Sequence, residues 1–356
     1  MNSQACISIL DGSVTVSHDF ILENAYAGDD DVVIAASSLV EGIGNKYSDL
    51  DIYVIKKALP KASEIDLERH HRVITADREI VSSDNLDQVS EQDVLVIHTV
   101  IPGTNIKVDV EFKTFAYFDR LAARVDELFN YAANNLEMLS KVLTDRDNSI
   151  FHRLLNAVVI KNEADYQQLN KKFNPDQYCY LAYRWLASDF SVLLDIFGAA
   201  SRQEWDRCIE ISRINILHEM QAYIHLLGCT NIDPKWMLTY LDKLQGKQHG
   251  NIRENFYRLF YLQGVAYDSG RSKQDYMLEC LDFCDELFHL SRTQLLRNPC
   301  YPSGKEAIAK LQSRFKLSDV FTYEVMEYQY RAKVYESSYT PTREWLNYHV
   351  DGEFTC

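Results

Sequence analysis

The run from Val32 to Ile55, VVIAASSLVEGIGNKYSDLDIYVI, constrains the fold of this 356-residue chain more than any other segment. Two short apolar runs, typical of buried β-strands, flank a polar loop that contains two glycines. Asp49 and Asp51 stand at the head of the second run. Because alternate residues of a strand share one face, the two carboxylates would project together, roughly 7 Å apart along the backbone. Carboxylates paired in this way suit the binding of one or two divalent metal ions against a polyphosphate.

The same run resembles the signature of the DNA polymerase β-like nucleotidyltransferase superfamily. In that signature a hydrophobic strand, two small residues and a loop precede Asp-x-Asp in a second strand. Here Ser37 and Ser38 are the small pair, Ser37 stands where the family usually has glycine, and ten residues separate Ser38 from Asp49. The resemblance implies that Asp49 and Asp51 bind Mg²⁺, or Mn²⁺ in its place. It also implies that Ser37 and Ser38 line a turn that meets the triphosphate of an NTP co-substrate such as ATP.

The superfamily takes a third carboxylate from a later strand, which shares a metal ion and helps to deprotonate the acceptor hydroxyl. The candidates here are Asp109 and Glu111 in the segment IKVDVEF, where they share one strand face. Asp109 is favoured as the third metal ligand because Val-Asp-Val resembles the family's third motif, and Glu111 remains open. All four acidic residues could instead be solvated side chains of amphipathic strands, but two acidic pairs at the family spacing favour a catalytic site.

Three further residues are candidate nucleotide ligands. Lys46 and Ser48 precede Asp49 in the loop and could contact phosphate or base, although such loop residues are more often simply solvated. Lys235 lies in Asp-Pro-Lys-Trp, which is similar to the Pro-Lys-Trp element of kanamycin- and lincosamide-modifying nucleotidyltransferases. That resemblance would place its ammonium group at the mouth of the active site. The alternative is a surface lysine in the first turn of a helix that is anchored by a buried Trp236.

Hydrophobic periodicity predicts an α+β protein, with a mixed sheet and flanking helices in residues 1–120 and a larger all-α domain in residues 121–356. The resemblance implies that the mixed sheet is of the nucleotidyltransferase type. Strands are predicted at Val32–Ala36, Leu50–Ile55, Arg72–Thr75, Val94–Ile101 and Lys107–Phe112, with a turn between the last two, helices at Ile21–Ala27 and Ala62–His70, and a loop at Ser82–Gln92. Later helices are predicted from Pro175 through Phe197 and at Phe118–Leu143, Gln203–Leu227, Lys235–Leu244, Glu254–Ala266, Gln274–Leu296, Gly304–Phe315 and Ser318–Ser338.

The charge and composition of the chain limit the kinds of partner that it is expected to bind. Residues 1–120 hold 10 basic and 21 acidic residues, whereas a nucleic-acid-binding domain needs basic surface to replace phosphate counterions. Nucleic acid is therefore a disfavoured partner. No apolar run is long enough to predict a membrane span, and the scattered cysteines are typical of a reduced, cytoplasmic protein.

These observations predict a cytoplasmic, metal-dependent nucleotidyltransferase that moves an NMP group from an NTP to a hydroxyl acceptor. The acidic balance favours a small-molecule acceptor. One alternative is a nucleotidyltransferase that modifies a protein, a peptide or tRNA. Another is a binding or regulatory protein that keeps the fold without the activity.

Overall fold

A computed structural model of the chain divides into two compact units, which are described separately. The first comprises Met1–Arg124 with Asp145–Asn174, and the second comprises Val125–Thr144 with Pro175–Cys356. The structure describes residues 5–66, 69–70, 72–74, 95–137, 139, 143–187, 190–245, 250–266, 269–315, 322–336 and 340–351.

The first unit is built on β-structure. A two-stranded hairpin, β1 (Cys6–Ile9) and β2 (Val14–Ser17), comes first in the chain. The strands of the main sheet are β3 (Val32–Ala35), β4 (Leu50–Lys56), β5 (Arg72–Ile74), β6 (Leu95–Val100), β7 (Lys107–Thr114) and β8 (Val158–Lys161). Their order is β5-β6-β7-β4-β3-β8, with β4 and β7 parallel and the other neighbours antiparallel. The parallel pair lies at the centre of the sheet.

The two faces of this sheet differ in chemistry. On one face, the inward side chains of β4 and β7 join the hairpin in a single hydrophobic core that includes Ile52, Val54, Val110 and Phe112. Burial of each such side chain contributes roughly 1.5–3 kcal/mol, which fixes the register of both strands. The opposite face of β7 carries only charged residues before Thr114, because side chains alternate along a strand.

Four helices begin in the first unit: α1 (His18–Ala25), α2 (Phe115–Asn134), α3 (Asp145–Leu155) and α4 (Glu163–Asn170). Ser17 caps α1, since its hydroxyl accepts a hydrogen bond from the Phe20 N–H at 3.2 Å. From Val125 onward, α2 belongs to the second unit.

The second unit is helical throughout the residues that the structure describes. Its further helices are α5 (Pro175–Leu186), α6 (Phe190–Ser201), α7 (Trp205–Leu226), α8 (Met237–Gln245), α9 (Gly250–Phe260), α10 (Gly270–Arg297), α11 (Lys305–Phe315), α12 (Thr322–Ala332) and α13 (Thr342–Asp351). The long helices α7 and α10 pack against each other, and Asn215 of α7 donates to the Cys284 sulfur of α10 at 3.3 Å.

The predicted α+β class is confirmed, and all five predicted strands are present within a residue or two. The helix predicted from Pro175 through Phe197 is wrong in extent, because α5 ends at Leu186 and α6 begins at Phe190. Among the described residues of the predicted Ala62–His70 helix, Ala62–Glu64 and Arg69 are in 3-10 conformation and none is α-helical. The predicted Ser82–Gln92 loop lies outside the described residues.

Residues 145–174 fall in the sheet-bearing unit, although they lie beyond residue 120 in the chain. The cause is β8, which pairs with the outer side of β3 through partners such as Ala35 and Val158. The strands β1, β2 and β8 and the helices α3 and α4 were not predicted from the sequence. None of the helices in the described ranges combines the length and the apolar character needed to cross a membrane.

Candidate active site

The predicted carboxylates converge at the centre of the sheet. In the parallel register of β4 and β7, Asp51 is paired with Asp109, and Tyr53 with Glu111. Asp49 precedes β4 by one residue and lies on the same side of the strand as Asp51. Hydrophobic burial of the intervening Leu50 and Ile52 turns these carboxylates to the charged face. The structure therefore brings all four predicted acidic residues to one face of one sheet.

Lys107 lies between two of the predicted metal ligands. Its ammonium nitrogen is 3.1 Å from Asp49 Oδ2 and 3.1 Å from Asp109 Oδ2. Burial lowers the pKa of Lys107, but hydrogen bonds to Asp109 and Asp49 outweigh it, so that the pKa is raised overall. The lysine side chain is 43% exposed, so that it can turn toward solvent without a change in the backbone.

Asp51 is the most perturbed acid of the site. Burial raises its pKa from 3.8 to about 7. Arg153 of α3 opposes that rise from 3.2 Å, while the nearby carboxylates of Asp109, Glu111 and Asp49 add to it. Arg153 also donates to the hydroxyl of Tyr53, two residues further along β4. A carboxylate with a pKa near 7 is a frequent property of functional sites.

Glu111 is held by two cations. Lys113 lies 3.2 Å from its carboxylate, and Arg146 of α3 donates a hydrogen bond to the same oxygen. Lys113 is buried, and that burial lowers its pKa although Glu111 opposes the shift. Because Glu111 contacts two cations, one of them the buried Lys113, it is less available to a metal ion than Asp109, whose cationic partner Lys107 is 43% exposed.

Asp109 has a second partner on the next strand. His98 of β6 is paired with Asp109 in the antiparallel register of β6 and β7. Its Nδ1 lies 2.5 Å from Asp109 Oδ1. Asp51, Asp109 and His98 thus form one row across three neighbouring strands.

The two predicted serines have different roles. Ser37 is buried, and its hydroxyl accepts hydrogen bonds from the backbone N–H groups of Leu39 and Val40 at 3.2 and 3.4 Å. It therefore stabilises the turn itself. The Ser38 hydroxyl makes no hydrogen bond within the part of the chain that the structure describes, and Ser38 is partly exposed. The Ser38 hydroxyl is therefore not used in the turn, and its contact with a nucleotide stays a prediction.

Gly44 closes the turn that begins at Ser37 and Ser38, which we call the serine turn. Its N–H donates to the Ser38 carbonyl at 2.7 Å, and a Cβ at this position would come within 2.8 Å of the Leu39 nitrogen. Real Cβ atoms do not approach so closely, so glycine is required by this contact. Glycine at position 44 therefore allows the turn to close this tightly.

The predicted ligands Lys46 and Ser48 lie in the loop between the serine turn and β4. Ser48 accepts a hydrogen bond from the Asn45 N–H at 3.0 Å, which gives it a role in the turn. Lys46 is exposed and lies over the ring of Tyr47, itself 83% exposed. Contact of either residue with a nucleotide stays a prediction.

Lys235 belongs to the second unit, in a 3-10 turn at Pro234–Trp236. Its ammonium nitrogen lies 2.8 Å from Asp233 Oδ2, and its side chain is 66% exposed. Trp236 is only half-buried, so the buried anchor predicted for this turn is wrong. A role for Lys235 in nucleotide binding stays a prediction.

The chemistry of the donor set fits a hard divalent cation, because Asp49, Asp51 and Asp109 offer carboxylate oxygens. As the side chains are placed, however, no three acidic, histidine or cysteine groups within the described ranges are arranged to hold a metal ion. Lys107 and Arg153 contact these carboxylates instead. Metal binding at the predicted ligands would therefore require Lys107 to move aside.

Five residues that contact the site carboxylates were not singled out from the sequence: His98, Lys107, Lys113, Arg146 and Arg153. Lys107 had a usable signal, since it stands two residues before Asp109 on the same strand face. His98 had one as well, because counting back from the predicted turn pairs it with Asp109. Arg146 and Arg153 had no local signal, since α3 lies more than 30 residues beyond β7 in the chain.

The chain is similar in structure to a nucleotidyltransferase-like protein from Exiguobacterium sibiricum 255-15, solved by crystallography. The two share 9% sequence identity, the likeness covers 84% of this chain and 87% of that chain, and the TM-score is 0.38. No protein-family model matches the sequence, and no curated protein matches it.

Proposed function

We propose that this protein is a metal-dependent nucleotidyltransferase that moves an NMP group from an NTP to the hydroxyl of a small molecule. The observation that supports this most is the pairing of Asp51 with Asp109 in the centre of the sheet, on the same face as Asp49. The strands β4 and β7 are distant in sequence. The alternation of side chains within a single strand therefore does not by itself explain why Asp51 and Asp109 lie side by side on one face.

In this proposal Asp49, Asp51 and Asp109 hold Mg²⁺, or Mn²⁺, together with the NTP phosphates. The metal, when bound, would offset the negative charge that develops on the attacking and leaving oxygens. The Ser38 hydroxyl would contact the triphosphate, and Lys46, Ser48 and Lys235 are further proposed contacts of the nucleotide. Asp109 accepts the proton of the acceptor hydroxyl. The acceptor oxygen then forms a bond to the α-phosphorus, and the bond from that phosphorus to the bridging oxygen breaks, releasing pyrophosphate.

Charge arithmetic supports a metal–nucleotide complex as the ligand. The carboxylates of Asp49, Asp51, Asp109 and Glu111 are in contact with four basic side chains, Lys107, Lys113, Arg146 and Arg153. A bare divalent cation would leave this group with excess positive charge. An NTP that carries its own Mg²⁺ is a net anion, so its binding beside such a cation would offset that excess.

The same contacts favour a second candidate, a protein that binds a nucleotide without transferring it. In that case Lys107 and Arg153 would keep the carboxylates neutralised permanently.

The strongly acidic first 120 residues favour a small or cationic acceptor in the enzymatic case. A protein, peptide or tRNA acceptor remains the alternative substrate class.

Incubation with each α-labelled NTP, Mg²⁺ or Mn²⁺ and a panel of acceptors tests the proposal. The panel should include aminoglycosides, lincosamides, bulk tRNA and a protein lysate. Label transfer with release of pyrophosphate is expected, and it should be lost in Asp49→Asn. Saturable nucleotide binding without transfer to any acceptor would favour the second candidate. A fully active Asp49→Asn would show that the assigned carboxylates are wrong.

A further inference from the structure

His98 has a distinct place in the row of Asp51, Asp109 and His98. Its side chain is only 9% exposed, and its partner Asp109 is one of the proposed metal ligands. Among the described residues, His98 Nε2 is buried and has no hydrogen-bond partner. Its single polar contact is thus the one from Nδ1 to Asp109 Oδ1, at 2.5 Å.

The contact defines the protonation pattern of the histidine. An ionised carboxylate only accepts hydrogen bonds, so Nδ1 must carry the proton. In the neutral ring Nε2 then has a lone pair rather than an N–H. The hydrogen bond from His98 Nδ1 to Asp109 Oδ1 therefore fixes the orientation of the imidazole ring, and it fixes the orientation of the Asp109 carboxylate as well.

The two oxygens of Asp109 consequently face different neighbours. Oδ1 is bound by His98, while Oδ2 lies 3.1 Å from Lys107 Nζ, which also contacts Asp49. Rotation of the carboxylate about its last bond would break the bond to His98. Oδ2 is therefore held toward the side of the site where Asp49 lies.

We infer that His98 is a positioning residue, which fixes Asp109 so that Oδ2 is presented to the metal and to the proton of the acceptor. The inference rests on the proposed function and adds a residue to its machinery. His98 itself touches neither substrate nor metal, because its free nitrogen is buried. Partners of this kind, bonded to a metal-binding side chain, contribute typically 10–100-fold to metal affinity or activity.

Three substitutions of His98 distinguish a role in positioning Asp109 from a role in packing alone. His98→Asn keeps an N–H donor on the atom that follows Cγ, as Nδ1 does. His98→Gln moves that donor one bond outward, to the place of Nε2, and His98→Leu removes it. Mn²⁺ binding, followed by electron paramagnetic resonance, should weaken roughly 10–100-fold in His98→Leu and His98→Gln. It should stay close to wild type in His98→Asn. In transfer assays kcat should fall in His98→Leu and His98→Gln and stay close to wild type in His98→Asn, while KM for the NTP changes little in all three variants.

Circular dichroism and thermal unfolding establish that each variant is folded. In the wild type, a downfield Nδ1–H proton resonance of His98 is expected, and Asp109→Asn should shift or remove it. The inference is overturned if that proton resides on Nε2. It is also overturned if His98→Leu binds Mn²⁺ like the wild type while Asp51→Asn does not. If Asp51→Asn also binds normally, the proposed metal site itself is wrong, and the positioning role is overturned with it.

Discussion

Asp51 and Asp109 are direct partners in the parallel register of β4 and β7, although 58 positions separate them in the chain. Hydrophobic burial of the residues on either side of each aspartate turns both carboxylates to the same face. Bringing two such charges together is unfavourable unless cations accompany them, and Lys107 and Arg153 supply that charge here.

The first prediction distinguishes the two candidates for the third carboxylate. Asp109→Asn should lower kcat by roughly 100-fold or more, the contribution expected of a general base. Glu111→Gln should lower it far less, because Lys113 and Arg146 already hold that carboxylate. Steady-state kinetics measure both effects, with thermal unfolding as the check on folding. A larger loss in Glu111→Gln would instead make Glu111 the third carboxylate.

The second prediction concerns the dependence of stability on pH. Asp51 has a pKa of about 7 in the folded protein, against 3.8 for an ordinary aspartate. Between these values the folded state binds more protons than the unfolded state, so its contribution to stability falls as the pH rises and then levels off above pH 7. Asparagine does not titrate. Asp51→Asn should therefore be more stable than the wild type at pH 8, by on the order of 1–4 kcal/mol, with the difference vanishing toward pH 4.

Urea unfolding at several pH values measures this difference. Asp30→Asn is the matched control, because its exposed carboxylate has a pKa lowered by the hydrogen bond to Lys57. That control should give no stabilisation at pH 8. A stability gap for Asp51→Asn that grew toward acid pH would contradict the raised pKa.

The third prediction concerns competition between Lys107 and a metal ion. Lys107→Met removes the ammonium that contacts both Asp49 and Asp109. Because a half-exposed ion pair contributes about 0.2–1 kcal/mol, Mn²⁺ should bind roughly two- to fivefold more tightly without nucleotide. Isothermal titration calorimetry measures the affinity, and Lys57→Met, at an exposed ion pair with Asp30, provides the control. Weaker Mn²⁺ binding in Lys107→Met would show that the lysine assists the metal instead of competing with it.

The fourth prediction concerns the serine turn. Gly44→Ala would place a Cβ within 2.8 Å of the Leu39 nitrogen and the Ser38 hydroxyl. Overpacking of this kind should destabilise the protein by about 1–3 kcal/mol and weaken nucleotide binding through displacement of Ser38. Gly198→Ala, in α6 with no atom near the new methyl group, should be stabilising by up to about 1 kcal/mol. Equal unfolding free energies for the two variants would argue against the close turn.

Much of the sheet could be predicted because several of its strands have a recognisable pattern of apolar and polar residues in the local sequence. The alternation in β4 and β7 identified both the buried face and the acidic face. The strands β1, β2 and β8 were missed, although each has as many residues as β3, which was predicted because it leads into the serine pair and the acidic motif. Helices α5 and α6 were joined because Leu186 and Phe190 continue one apolar spacing across the break between them.

Which carboxylates share a strand face follows from the order of residues along each strand, since it depends only on the two-residue period of a β-strand. The sequence also placed two serines and a glycine-containing loop between the first two strands of the site. The arginines that accompany Glu111 and Asp51 were identified only in the tertiary structure. Arg146 and Arg153 come from α3, which begins more than 30 residues after β7, and His98 meets Asp109 through the antiparallel register of β6 and β7. The charge balance of the site depends on distances between segments that are remote in sequence, and no local pattern specifies those distances.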